Sequence, residues 1–84
     1  MPYFVYILKS LADGKLYIGQ TKDLENRLER HNNRQVKATR SRTPLEIIHF
    51  ETFETRTESV RRESYLKSLK NSRYLEENII KTQQ

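Results

Sequence analysis

Five side chains in this sequence have types and spacings that could do chemistry: Tyr6, Tyr17, Arg27, His31 and Glu63. Leu24, Arg27, Leu28 and His31 are spaced i, i+3, i+4, i+7, which is one face of a helix. Two of these four are cationic or polar where an apolar residue is expected. Arg27 and His31 are also i, i+4 neighbours, so their heads can converge on one ligand. One reading is a snorkelling arginine beside a boundary histidine; the other is an anion site at the edge of the core. At about 100° per residue, Glu63 projects between Val60 and Leu66, two expected core positions. A carboxylate there must pair with a cation or hold a metal, because an unpaired buried charge is expensive. A salt bridge to Arg27, Arg61 or Arg62 would satisfy it, and so would a divalent ion. Tyr6 and Tyr17 fall on consecutive strand-like runs, close together when counted from the turn between them. On position alone, ordinary cross-strand aromatic packing is the favoured reading of that pair, ahead of a site.

Two phenols, a guanidinium, an imidazole, a carboxylate and a basic loop suit phosphodiester hydrolysis. Glu63 would hold Mg²⁺ or Mn²⁺, whose other positions go to water and phosphate oxygens. The ion would polarise the phosphate and neutralise the leaving oxygen. Arg27 would stabilise the charge added in the transition state. A tyrosine or His31 would orient or deprotonate the attacking water. A free phenol ionises near pH 10, so tyrosine needs help from a cation to act as a base.

The elements that must position these groups follow from local patterns. Residues 3–9 are β-branched and aromatic and read as a strand. Asp13-Gly14 is a short hairpin signal, and residues 15–20 form the return strand. Gly19 in that strand is costly unless something approaches the backbone closely, and it is counted here among the nucleic-acid contacts. Thr21 or Asp23 caps a helix over about residues 23–33. Residues 34–43 form a polar loop with four positive charges and no negative ones. A third strand spans 45–53 with imperfect alternation. Thr55 and Glu58 form a capping box opening a helix over about 56–70. Asn71-Ser72 breaks it, and a last helix covers 73–81. The order is β-β-α-β-α-α, an α+β fold with a three-stranded antiparallel sheet flanked by helices. Disorder is expected only at Gln83-Gln84 and in the basic loop.

The chain of 84 residues is expected to form one domain over residues 1–84. Cysteine is absent, which excludes disulfides, thiolate zinc sites and thiol nucleophiles. Mean hydropathy is −0.91, and no run approaches the roughly 18 apolar residues of a membrane span. The apolar start lacks a basic leader and a cleavage site, so a cytoplasmic protein without a membrane partner is expected. Sixteen basic residues against eleven acidic give +5, and the pI is near 9.7. That balance favours polyanions, nucleic acid first.

Phe4-Val5-Tyr6, then Tyr17-Ile18-Gly19, resembles the paired signature of the GIY-YIG nuclease superfamily. The first triplet carries Phe for Gly and Val for Ile but keeps the tyrosine; the second is intact. The stretch from Gln20 to Leu28 resembles the one in which that family carries its helix arginine, and Arg27 falls in place. His31-Asn32 and Ser41-Arg42-Thr43-Pro44-Leu45 resemble the small single-domain branch, similar to the catalytic end of the excision-repair cleavage subunit. Glu63 matches the metal-binding glutamate. The resemblance spans about residues 3–70. It implies a three-stranded antiparallel sheet with helices, one divalent ion on Glu63, and in-line attack by water. It gives Tyr17 or His31 the role of base or water orienter, and Tyr6 a hydrogen bond to the nucleophile or phosphate. Many members add an asparagine after the glutamate, for which Asn71 and Asn78 are the downstream candidates. Larger members carry a separate DNA-binding domain. Here targeting would fall to the domain itself, with Lys37, Arg40 and Arg42 on phosphates, or to a protein partner. The expected activity is a metal-dependent, structure-selective DNA endonuclease of repair or recombination, with RNA left open as the alternative nucleic acid. The competing expectations are a nucleic-acid-binding accessory module with little cleavage, and a protein-interaction scaffold. The basic loop could also be a solvated loop without a ligand.

Overall fold

The computed structural model describes residues 2–69 and 71–80. The elements are β1 (Tyr3–Ser10), β2 (Leu16–Thr21), α1 (Leu24–Asn32), a 3₁₀ turn (Arg40–Arg42), β3 (Leu45–Phe53), α2 (Arg56–Leu69) and α3 (Ser72–Tyr74). A π-helical turn, Leu75–Ile79, continues α3. The α+β class and the β-β-α-β-α-α order are as expected. The far end of the expected last helix, at residue 81, and the Gln83-Gln84 tail lie outside the described residues.

The sheet order is β2-β1-β3, with both pairs antiparallel. β1 is the central strand and is apolar on both sides because both sides are covered. Val5 and Ile7 join Ile18, Leu66, Leu75 and Ile80 beneath α2 and α3. Tyr6 and Leu8 join Leu45 on the opposite face, against Tyr17, Leu24, Leu28 and Ile47. The alternation of side chains along a strand thus sends Tyr6 to the α1 side.

The first connection is longer than a two-residue Asp13-Gly14 turn. β1 ends at Ser10 and β2 begins at Leu16. Ser10 organises the link: its hydroxyl accepts from the N–H groups of Ala12 (3.1 Å) and Asp13 (3.2 Å) and donates to the Arg42 carbonyl (2.6 Å). Gly14 supplies the positive φ of 75° that the turn requires. The resulting register sets Tyr6 opposite Gly19 and Leu8 opposite Tyr17.

On the other side of β1 the partner jumps from His49, opposite Ile7, to Ile47, opposite Leu8. Ile48 is the extra residue of a β-bulge, and it packs beneath α2. The bulge accounts for the imperfect alternation of 45–53.

Caps fix the helix ends. The Asp23 side chain accepts from Asn26 N–H at 3.0 Å. Thr55 Oγ1 accepts from Glu58 N–H (3.2 Å) while Glu58 Oε1 accepts from Thr55 N–H (3.3 Å), a complete capping box. At the end of α1, Asn32 Nδ2 donates to the Leu45 carbonyl (3.0 Å) and its Oδ1 accepts from Leu45 N–H (2.7 Å). The amide imitates a neighbouring strand and pins the start of β3 to α1.

Replacing Asn32 by alanine leaves two backbone groups of Leu45 without these partners and should cost about 1–3 kcal/mol. Asn32→Asp keeps the acceptor but loses the donor and should fall between the two. Urea unfolding of the three proteins gives the order; an alanine variant as stable as the parent would show that the clamp contributes nothing.

Candidate active site

The α1-side face of the sheet gathers four of the five singled-out residues. Tyr6 sits on the central strand, Tyr17 on β2, and Arg27 and His31 on the inner face of α1. The Tyr6 hydroxyl and His31 Nε2 hydrogen-bond at 3.1 Å, and Arg27 Nε donates to the same hydroxyl at 3.3 Å. The Tyr6 and Tyr17 rings lie 6.5 Å apart, and the Tyr17 ring meets the His31 ring edge-on at 5.1 Å. Tyr6 is 1% exposed and His31 0%. Tyr17 and Arg27 are half-buried and form the part of the cluster that faces outward.

The opposite-strand register explains Gly19. The Tyr6 ring crosses directly over it, and a Cβ at position 19 would overlap the phenol, lying 2.6 Å from Cζ. The close approach that this glycine permits is that of Tyr6. Gly19 itself is buried.

Burial dominates the electrostatics. It lowers the pKa of His31 from 6.5 to about 4, assisted by the charges of Arg27 and Arg30, so the imidazole is neutral at pH 7. Burial also raises the Tyr6 pKa, and the Arg27 hydrogen bond and charge offset this only in part. The hydrogen bond to Tyr6 strengthens the hold of Arg27 on its proton, and Tyr17 adds to that. The cluster is therefore a neutral phenol–imidazole pair backed by a fixed cation.

Glu63 stands on the inward-turned side of α2. Its charge is felt at Tyr6 as the smallest of the upward influences on that phenol. The inner stripe of α2 differs from the expected one: Val60 is 40% exposed, and the residues turned inward are Ser59, Arg62, Glu63, Leu66 and Leu69. Glu63 pairs with Lys67 at 3.2 Å, one helical turn on, instead of with Arg27, Arg61 or Arg62. Arg62 is engaged elsewhere, in a two-pronged contact with Glu51 at 2.8 and 3.1 Å. Among the described residues no three His, Asp or Glu side chains converge. A single carboxylate does not make a cage. It does fit Mg²⁺ or Mn²⁺ held by one protein oxygen, with water and phosphate completing the shell. A cation there would take the place of Lys67.

The basic loop is folded, not open. Arg34 takes a left-handed φ of 63°, and its Nε donates to the Arg40 carbonyl at 3.2 Å. Thr39, buried to 0%, meets His31 Nδ1 at 2.7 Å. Lys37 and Arg40 point to solvent on either side of it, whereas Arg42 lies 3.8 Å from Asp13. Asn71 accepts from Tyr74 N–H (3.1 Å) and Asn78 donates to the Tyr74 carbonyl (3.2 Å), so both asparagines serve their own helical segment. Sequence reasoning did not single out Thr39; a threonine among loop cations carries no signal of burial.

Residues 2–83 match the sequence profile of the GIY-YIG catalytic domain. A UPF0213 protein of Staphylococcus saprophyticus is 38% identical over 74 residues, covering 87% of this chain and 89% of the relative. A UPF0213 protein of Haloquadratum walsbyi is 43% identical over 67 residues, 79% of this chain and 74% of that one. The solution NMR structure of the UPF0213 protein BH0048 from Bacillus halodurans superposes with a TM-score of 0.59 at 31% identity, covering 98% of this chain and 85% of that one.

Two tests follow from the buried cluster. Gly19→Ala forces the Tyr6 ring aside and should destabilise the fold by about 1–3 kcal/mol. The same change in a Tyr6→Ala background should cost less, because the obstructing ring is gone; equal costs would refute the contact. His31 binds its proton near pH 6.5 when unfolded and near pH 4 when folded. Between those values the unfolded chain holds more protons, so its contribution is fully present above pH 6.5. That contribution declines toward pH 4 by up to about 3 kcal/mol. Urea midpoints across that range should show a slope that His31→Gln removes.

Proposed function

The chain belongs to the GIY-YIG nuclease family, and from that premise we propose that it is a divalent-metal-dependent endonuclease hydrolysing phosphodiester bonds in DNA. The observation that carries the proposal is the shared position of Arg27: one guanidinium bonded to Tyr6, close to Tyr17, with the Glu63 carboxylate within electrostatic reach of the same phenol. This juxtaposes fixed positive charge, outward-facing phenol and a hard oxygen ligand, the parts that phosphoryl chemistry needs.

Each side chain has a distinct task in this reading. Arg27, half-exposed and held by Tyr6, binds a phosphate oxygen and stabilises the charge that builds there as water attacks phosphorus. Tyr17 faces the attacking water, which His31 does not reach directly because it is fully buried. Its hydroxyl orients that water and relays the water's proton to solvent as the new O–P bond forms, while the bond to the leaving oxygen breaks and that oxygen takes up a proton from solvent. His31 acts from beneath, holding Tyr6 by its hydroxyl and Tyr17 by its ring. Tyr6 keeps its own proton, since burial raises its pKa, and so positions Arg27 in preference to serving as a base. Glu63 is the protein ligand for the ion, which supplies Lewis-acid polarisation of the phosphate when bound. Lys37 and Arg40 hold flanking phosphates without reading sequence. Structure-selective cleavage in repair or recombination, in the cytoplasm, completes the proposal. A protein partner would add targeting.

Nicking of supercoiled, single-stranded and branched DNA, with Mg²⁺ or Mn²⁺ against chelator, tests this directly. Glu63→Ala should abolish cleavage and leave salt-sensitive binding in place. Arg27→Ala should lower kcat more than affinity. Cleavage that survives chelation or the Glu63 change would remove the metal role. Binding without cleavage on every substrate would identify an accessory module instead.

A further inference from the structure

We infer that Thr39 is a positioning residue for His31: its hydroxyl takes the imidazole Nδ1–H, leaving the Nε2 lone pair to accept the Tyr6 O–H. The structural claim concerns the protein alone; its catalytic consequence rests on the nuclease reading above.

The contact is the shortest in the cluster. Thr39 Oγ1 and His31 Nδ1 are 2.7 Å apart, and both residues are 0% exposed, so water does not compete for either group. A neutral imidazole carries one N–H and one lone pair, and the partner of one nitrogen decides the state of the other. Two arrangements are possible. In one, Nδ1–H donates to Thr39 and Tyr6 donates to Nε2. In the other, Thr39 donates to Nδ1 and Nε2–H donates to Tyr6.

Arg27 selects between them. A guanidinium nitrogen can only donate, so the Tyr6 oxygen already accepts from Arg27 Nε at 3.3 Å. The adjacent cation makes the phenol a better donor and a poorer acceptor for a second N–H. A phenol is also a much stronger hydrogen-bond acid than an aliphatic alcohol, and the alcohol is the better acceptor. The stronger pair of bonds is therefore Tyr6 O–H to Nε2 and Nδ1–H to Thr39. The relay runs Arg27, Tyr6, His31, Thr39, with each group donating to the next.

Thr39 is itself held by the loop. Its N–H donates to the Val36 carbonyl (3.2 Å) and its carbonyl accepts from Arg42 N–H (2.8 Å). Lys37 and Arg40 flank it on the solvent side. The segment with the exposed cations is thereby fastened to the imidazole through one hydroxyl. Displacing the loop would release the tautomer and, through Tyr6, the orientation of Arg27.

The test is a two-bond ¹H–¹⁵N correlation of the imidazoles in the free protein at pH 7, with His31→Gln to assign the signals. The wild type should show His31 as the Nδ1–H tautomer. Thr39→Val should shift it toward Nε2–H or a mixture, and Thr39→Ser should restore it. An Nε2–H wild-type spectrum, or a Val spectrum unchanged from wild type, would overturn the assignment. The wild-type and Ser spectra decide the matter even if the Val variant fails to fold. In nicking assays Thr39→Val should lower kcat about tenfold with KM for DNA little changed, a loss of the size seen when the hydrogen-bond partner that orients a functional histidine is removed, and Thr39→Ser should recover it. An unchanged kcat with the tautomer shifted would refute the catalytic consequence alone. A wild type that does not cut DNA at all would refute the nuclease reading and leave the tautomer result standing.

Discussion

The hydroxyl of a tyrosine that is only 1% exposed has to be hydrogen-bonded, and the rest of this structure follows from where its partners come from. Tyr6 sits on the middle strand, so its ring needs open space on the neighbouring strand, which Gly19 provides. Its oxygen needs donors and acceptors above the sheet, which Arg27 and His31 provide from consecutive turns of α1. His31 in turn needs a partner for its second nitrogen, and the loop folds inward to supply Thr39. One buried phenol thus ties together two strands, a helix and a loop. Removing Tyr6, His31 or Thr39 would leave a polar group of its partner in a place water does not reach.

The opposite face of the sheet carries a second polar network built on another logic. His49 Nε2 bonds to Glu51 at 2.8 Å, and Glu51 is gripped by Arg62 of α2. Burial pushes the Glu51 carboxyl up, but the hydrogen bonds from Arg62 and His49 outweigh it and the net shift is downward. This network joins β3 to α2 through ionic contacts, whereas the α1 side relies on neutral hydrogen bonds beside one cation. His49 Nδ1 is buried without a hydrogen-bond partner among the described residues. The bulge at Ile48 puts two successive side chains on one side, which is how His49 comes to share a face with Ile48.

Much of this was legible in the sequence for identifiable reasons. Element order followed from β-branched runs, the Asp23 and Thr55 caps and the Asn71 break, all of which are local interactions. Arg27 and His31 were legible because helical spacing shows a polar residue on an apolar face. Glu63 was legible for the same reason, although Val60 turned out to be exposed and the inner stripe more polar than expected. Its partner Lys67 was missed because a pair within one helix looks like surface decoration until the neighbouring strands are placed. The hairpin register was not legible, because the link is longer than Asp13-Gly14 and is organised by the Ser10 hydroxyl. Thr39 and Asn32 were illegible: each acts on a residue brought near by tertiary structure, and nothing in the local pattern marks a loop threonine as buried or a helix-terminal asparagine as a strand partner.

The central position of β1 also governs the order in which the cluster can come together. Its pairing with β2 closes a short loop, while its pairing with β3 joins residues as far apart as Tyr3 and Phe53. Local contacts form before distant ones because their closure entropy is smaller. Tyr6, Tyr17, Gly19, Arg27 and His31 all lie in the part of the chain that can pair early, and Glu63 lies beyond the distant strand. The chain therefore places these five residues on the near side of β3 in sequence and Glu63 beyond it. Joining Glu63 to those five residues closes the longer stretch of chain and carries the larger entropy cost.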